Sequence, residues 1–325
     1  MVRWRRSLIS KPGPTAPSST SSSDMQQDLT LSWLVKCAVA AAALLLACAL
    51  TTARFGSALQ QPAVTTRGGS LISLNRYVRE PTPDIVLVGS SVAWRLKEEY
   101  FSPPRVRNLS LAGGSPLTGL EIVANRPNSP KIVLIETNIL TREPDNALIE
   151  RFSGGARTEA LLLRPVRTAV AGYETWKHGE PDPARARVER DRLLSRPPST
   201  FDNKVYLNRA LEQMNEADPI VPARANVVRI GQLIEELQRR GARAFLIHVP
   251  FAPEIEGSRM VRTTDEILNK AFPDRGLWLP IDPPRSELRW DDGVHLDERS
   301  ALIVVRAIES AIDSSLAERD SARRP

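Results

Sequence analysis

The longest apolar run in the chain is residues 31–50, LSWLVKCAVAAAALLLACAL, whose only charge is Lys36. Twenty residues at helical rise cover about 30 Å, the thickness of a bilayer core. Downstream the pattern changes character. Short β-branched apolar runs recur at 84–88 (DIVLV), 106–111 (VRNLSL), 131–135 (KIVLI) and 244–249 (AFLIHV), with a weaker fifth at 277–281. Such runs, without polar alternation, predict strands buried on both faces of a parallel sheet. Between and after them lie segments with helical spacing. A helix or turn is expected from Ser90 to Leu96, and helices at 116–124, with Pro116 in the first turn, and at 225–240, ending at Gly241. The last, 296–316, places Ile303, Val304, Ala307, Ile308 and Ile312 on one face. Alternating strands and helices predict an α/β fold, a three-layer α/β/α sandwich around a central parallel sheet.

That rhythm divides the chain. Residues 1–30 are expected to be a disordered cytoplasmic tail, rich in Pro, Ser, Thr and Gln over 12–28. Residues 31–52 form the membrane segment, 53–80 a linker, and 81–320 the folded domain. Residues 139–222 interrupt it as an insertion rich in Arg and Pro, with a short helical piece at 159–170, that could shape a substrate cleft.

The net charge of +6 is shared between a basic N-terminus and a dilute remainder. Residues 1–36 carry Arg3, Arg5, Arg6, Lys11 and Lys36 against Asp24 and Asp28. No basic run interleaved with aromatics follows, so nucleic acid is not an expected partner. The positive flank ahead of the apolar segment predicts the N-terminus inside and the main domain outside, in the periplasm or beyond. An uncleaved signal anchor fits the length of the span. A signal peptide cleaved near Thr51-Thr52-Ala53 and a lipoprotein at Cys48 are alternatives that put the domain on the same side. Both cysteines, Cys37 and Cys48, lie in this segment, which excludes a Cys nucleophile or Cys-based zinc site in the folded domain.

Chemistry is expected at the strand ends, where open α/β sheets bind ligands. The first strand leads into Gly89-Ser90-Ser91, a place where a serine hydroxyl meets free amide N–H groups. The second leads into Ala112-Gly113-Gly114, where glycine brings the backbone close to a ligand. The third leads into Glu136-Thr137-Asn138, whose Asn can donate to a developing oxyanion. Each alone also reads as a turn or a helix cap. Near the C-terminus stands Asp292-Gly293-Val294-His295, with a carboxylate three residues before an imidazole. An acid that fixes a histidine tautomer is two-thirds of a nucleophilic triad. Asp291 is the alternative acid, and the three-residue spacing favours Asp292. Of the other histidines, His248 reads as a core or rim residue that could line the cleft, and His178 as surface.

The order of these pieces resembles the four blocks of the SGNH (GDSL-type) hydrolase superfamily, over about 84–140 and 242–315. The first block usually reads Gly-Asp-Ser, and here Ser90 replaces the Asp. The third usually reads Gly-x-Asn-Asp, and here Glu136 and Ile139 replace the Gly and the Asp. The fourth matches closely. The resemblance implies the flavodoxin-like SGNH fold, with Ser91 as nucleophile, His295 as general base and Asp292 as its orienter. It implies an oxyanion hole from the N–H groups of Ser91 and Gly113 and the Asn138 side chain. No cofactor and no metal are implied. The expected activity is that of a membrane-anchored extracytoplasmic serine esterase. It would cleave an O-acyl ester, foremost O-acetyl, from an acylated small molecule or cell-surface glycan. Two alternatives remain: an O-acyltransferase using the same triad on an envelope or exopolysaccharide, and a non-catalytic glycan-binding or assembly protein. Polysaccharide-biosynthesis machinery is the implied partner.

Overall fold

The structure, a computed structural model of the whole chain, describes residues 22–55, 66–102, 106–153 and 183–322. The expected helical piece at 159–170 and His178 lie outside the described residues. Helix α1 (Ser22–Phe55) contains the apolar stretch Leu31–Leu50, with mean hydropathy 2.2 and none of it buried against the protein. It is the one described helix long and apolar enough to cross a membrane. It begins at Ser22, so residues 22–30, expected within the disordered tail, are helical.

Most of the stretch read as a linker is also ordered. Helix α2 (Thr66–Arg79) turns Leu74 and Tyr77 into the core, both almost fully buried. Leu71, Leu74 and Val78 follow helical spacing, but Gly68-Gly69 and the flanking arginines dilute the signal. An ion-pair cluster fastens the far end of α2. Arg107, 8% exposed at its side chain, pairs with Glu80 and, at 2.7 Å, with Glu98. Removing one partner of such a buried pair typically costs about 3–5 kcal/mol.

The sheet is parallel and four-stranded, built from β1 (Ile85–Val88), β2 (Val106–Asn108), β3 (Ile132–Glu136) and β4 (Arg243–Ile247), in the order β2-β1-β3-β4. In-register pairing aligns Leu87 with Asn108 and Leu134, and Leu134 with Phe245. The expected fifth strand reduces to one bridge, Leu246 to Trp278, because Pro280 has no N–H to continue a ladder. The second expected strand is shorter than 106–111, but Leu109 and Leu111 still donate to Leu87 and Gly89, at 2.8 and 3.0 Å.

Side chains alternate across the strands, so two cores form, one on each face. Ile85, Leu87, Leu134 and Phe245 pack with Leu302, Val305 and Ile308 of the C-terminal helix (Glu298–Ala322). Val86, Val88, Val133 and Leu246 pack with α2, with the helix Pro116–Ala124 and with the helix Ile220–Arg239. The protein is an α/β fold with eleven α-helices among the described residues. The chain leaves β1 toward β2 on one side and returns to β3 on the other. The carboxyl ends of β1 and β3 therefore border the point where the strand order reverses, the usual ligand crevice of an open α/β sheet.

Candidate active site

Past β1 the chain turns at Gly89-Ser90 into a one-turn helix, Ser91–Trp94. The Ser90 hydroxyl caps it, accepting the Val92 N–H at 3.2 Å. Ser91 is the first residue of the turn and part-exposed, whereas Ser90 is fully buried. Asn108, at the end of β2, donates to the carbonyls of Ala93 and Leu96, both at 2.8 Å, and so clamps the exit of the same turn.

The imidazole arrives from the other end of the sequence. Trp290 and Leu296 form an antiparallel bridge, closed by Asp291 N–H donating to His295 C=O at 2.8 Å. Inside this turn, Asp292 Oδ1 accepts the N–H groups of Val294 at 3.0 Å and of His295 at 2.7 Å. Asp292 Oδ2 lies 2.7 Å from His295 Nδ1, and His295 Nε2 lies 2.9 Å from Ser91 Oγ. Ser91 and His295 are 204 residues apart in sequence, so this contact is made by the fold alone. Burial works to raise the Asp292 carboxyl, but the hydrogen bonds from His295 and Val294 outweigh it and hold its pKa down to about 2. Asp292 is therefore ionised at neutral pH and favours the imidazole tautomer with its proton on Nδ1, which turns Nε2 toward Ser91 as an acceptor. Asp291, the rival acid, instead pairs with Arg95 at 3.2 Å, and burial pushes its carboxyl up.

Gly293 has φ +87°, a left-handed conformation that side chains resist. A Cβ there would also collide with Leu207 and come within 3.1 Å of Ile255 Cγ1. Leu207 belongs to the helix Lys204–Glu216 of the insertion, and Asn203 just ahead of it donates to Trp290 C=O at 2.6 Å. The second half of the insertion is thus part of the mount for the histidine turn. No motif within it points to that role.

The expected oxyanion donors are differently placed. Gly113 is exposed, with φ +79° and open space where a Cβ would stand. Asn138 is 3% exposed, and its amide pairs with the backbone of Val249 in both directions. Asn138 Nδ2 donates to Val249 C=O at 2.6 Å, and Val249 N–H donates to Asn138 Oδ1 at 2.9 Å. The second Nδ2 hydrogen takes no part in this pairing. The pairing extends the β3–β4 ladder through a side chain and fixes the start of the loop after β4. That loop in turn holds the histidine turn, through Ala252 N–H to Gly293 C=O at 2.9 Å and Trp290 Nε1 to Pro250 C=O at 3.0 Å.

Beside Asp291 and Asp292 opens a recess of about 410 Å³ whose other wall is Phe201 and Tyr206. The two rings stack, with centroids 6.1 Å apart, and both side chains are exposed. Among the described residues, no group of three or more His, Cys, Asp or Glu could hold a metal ion. The geometry places a serine hydroxyl, an imidazole and a carboxylate in one hydrogen-bonded line at the crevice of the sheet. In comparisons with known proteins, no family model and no curated protein sequence matches the chain.

Proposed function

We propose that the protein is a serine hydrolase of SGNH type that cleaves an O-acyl ester, foremost O-acetyl, on a cell-surface glycan. The observation that carries this reading is the line Asp292–His295–Ser91, with successive gaps of 2.7 and 2.9 Å. Ser91 Oγ attacks the ester carbonyl carbon while its proton passes to His295 Nε2. The tetrahedral oxyanion is met by the N–H groups of Ser91 and Gly113 and by the remaining Asn138 amide hydrogen. His295 returns the proton to the leaving alkoxide, and an acyl-serine remains. Water then attacks the acyl carbon as His295 takes its proton, and the imidazolium passes that proton to the departing Ser91 Oγ, releasing the carboxylic acid and free Ser91. Part exposure of Ser91 and His295 gives water access for this second half and favours hydrolysis over transfer to another hydroxyl. The stacked Phe201–Tyr206 pair beside the acid supports a substrate with a ring to lay on it, as a sugar has. The apolar helix and the basic residues ahead of it support a membrane anchor with the domain outside the cytoplasm.

The test is hydrolysis of p-nitrophenyl acetate and of an O-acetylated oligosaccharide by the detergent-solubilised full chain. Turnover is expected, with loss in Ser91→Ala. Full activity in Ser91→Ala would refute the nucleophile. Acyl transfer to an oligosaccharide without release of free acid would select an acyltransferase instead.

A further inference from the structure

Glu136, the last residue of β3, is fully buried and lies directly behind the nucleophile turn. Its Oε2 accepts the Ser90 N–H at 2.6 Å, and its Oε1 accepts the Ile139 N–H at 3.1 Å. The Ser90 hydroxyl and the Asn138 N–H lie close enough to favour its charged form. One carboxyl group thus joins the turn that carries Ser91 to the turn that carries Asn138. The approach is close enough to dictate Gly89. A Cβ at that position would stand 2.9 Å from Glu136 Cβ, 3.0 Å from its Oε2 and 2.6 Å from Ala93 Cβ.

Burying a carboxyl group is costly unless donors surround it. Among the described ion pairs no cation faces Glu136; the Ser90 and Ile139 N–H groups donate to it, and burial still pushes its pKa above the ordinary carboxylate value. The two departures from the SGNH blocks meet at this spot. Where the usual first block has Asp, the buried Ser90 side chain stands close to the Glu136 carboxyl. Where the usual third block has Gly, Glu136 supplies that carboxyl. We propose that Glu136 is a positioning residue: its carboxyl group, supplied from β3 where the usual first block carries one at position 90, ties the Ser90 peptide to the turn after β3 and so holds Ser91 in register with His295 and Asn138. The inference rests on Ser91 as the nucleophile. Glu136 touches neither substrate nor the reacting atoms; it acts through the Ser90 peptide.

The test is a double-mutant cycle on the full chain, with Glu136→Gly, Ser90→Asp and the two combined, and Glu136→Gln as the near-isosteric control. Misplacing a nucleophile by a fraction of an ångström is expected to lower kcat by about 100-fold in Glu136→Gly, with KM within about threefold. Ser90→Asp alone crowds two carboxyl groups into one space and lowers kcat as well. The combined variant moves the carboxyl to position 90 and recovers kcat to within about tenfold of wild type. Glu136→Gln keeps an acceptor but turns an amide N–H group toward one of the backbone donors, and is expected to fall between wild type and Glu136→Gly. Wild-type kcat in Glu136→Gly, or a combined variant no faster than the slower single one while equally folded, would overturn the proposal. Thermal midpoints and exchange of the Ser90 amide hydrogen, measured on the same set, keep this distinct from the proposed activity. A wild-type chain that turns over no ester refutes the hydrolase. The carboxyl exchange then stands if positions 90 and 136 still couple in stability and Ser90 protection, and falls if their effects simply add.

Discussion

Among the described residues the domain holds two acid–histidine pairs, and only one of them faces a serine hydroxyl. In the first, Asp292 lies 2.7 Å from His295 Nδ1, and the opposite nitrogen, Nε2, faces Ser91 Oγ. In the second, Glu256 lies 3.1 Å from His248 Nε2, and the same carboxylate also takes the Phe251 N–H at 3.0 Å and Arg285 at 3.2 Å. Both carboxylates are held low by their partners against the opposing effect of burial. Distance and electrostatics alone do not separate the pairs. What separates them is the other ring nitrogen and the work the acid does. Asp292 serves one histidine, through a turn that its own Oδ1 holds rigid. Glu256 is a knot in the loop after β4, tying His248, Phe251 and Arg285 together so that Val249 and Ala252 reach Asn138 and Gly293. An acid–imidazole contact is therefore a base only where a hydroxyl stands on its far side.

Exchanging the two histidines is the strongest way to break this comparison. His295→Gln is expected to lower kcat for ester hydrolysis by about 10⁴-fold or more, whereas His248→Gln stays within about tenfold. Comparable losses in both would mean that the second pair takes part in the chemistry. Next in size, Asp292→Asn leaves the turn folded but frees the wrong tautomer, costing about 10⁴-fold in kcat. Glu256→Gln is expected to act mainly on stability, through the loop, and steady-state kinetics with thermal melts separate the two.

Gly293→Ala probes the mount rather than the pair. The left-handed φ and the overlap with Leu207 and Ile255 are together expected to cost about 2–4 kcal/mol in a denaturant melt. Leu207→Ala in the same background makes room and is expected to recover part of that loss. The smallest effect concerns pH. Burial works to lower the His248 pKa, but the hydrogen bond and charge of Glu256 win and raise it above its ordinary 6.5. A raised folded-state pKa adds stability that is complete below about pH 6.5 and is lost as pH rises through the folded value. The wild-type melting point is expected to lose about 1–2 °C across that window relative to His248→Gln. An identical pH dependence in the two proteins would contradict the ion pair.

The same contrast explains how far the sequence was legible. Three of the four strands are uninterrupted apolar runs, and the structure has them within a residue or two of the expected bounds. Asp292-Gly293-Val294-His295 is local, so its hydrogen bonds are encoded in its own spacing. Ser91 became a candidate from its place after β1, and the fold brings it to His295. Less was readable where partners are distant and chemically ordinary. The fifth strand failed on the backbone chemistry of Pro280. Helix α2 was hidden by Gly68-Gly69 and by an ion-pair cluster whose members, Glu80, Glu98 and Arg107, look like surface residues in a linear reading. Glu136 stood out only as a departure from a pattern, and its partner Ser90 lies 46 residues away. The mount at Leu207 and Asn203 has no linear signature, because a leucine packed on a glycine is a statement about space.

The proposed activity turns on Ser91 being the hydroxyl activated by the Asp292–His295 pair. The most direct test is labelling of the intact chain with a fluorophosphonate, followed by peptide mapping in wild type, His248→Gln and His295→Gln. A single adduct on Ser91, formed at comparable rates in wild type and His248→Gln and lost in His295→Gln, is the predicted result. An adduct on another residue, or Ser91 labelling that survives the loss of His295, would contradict it.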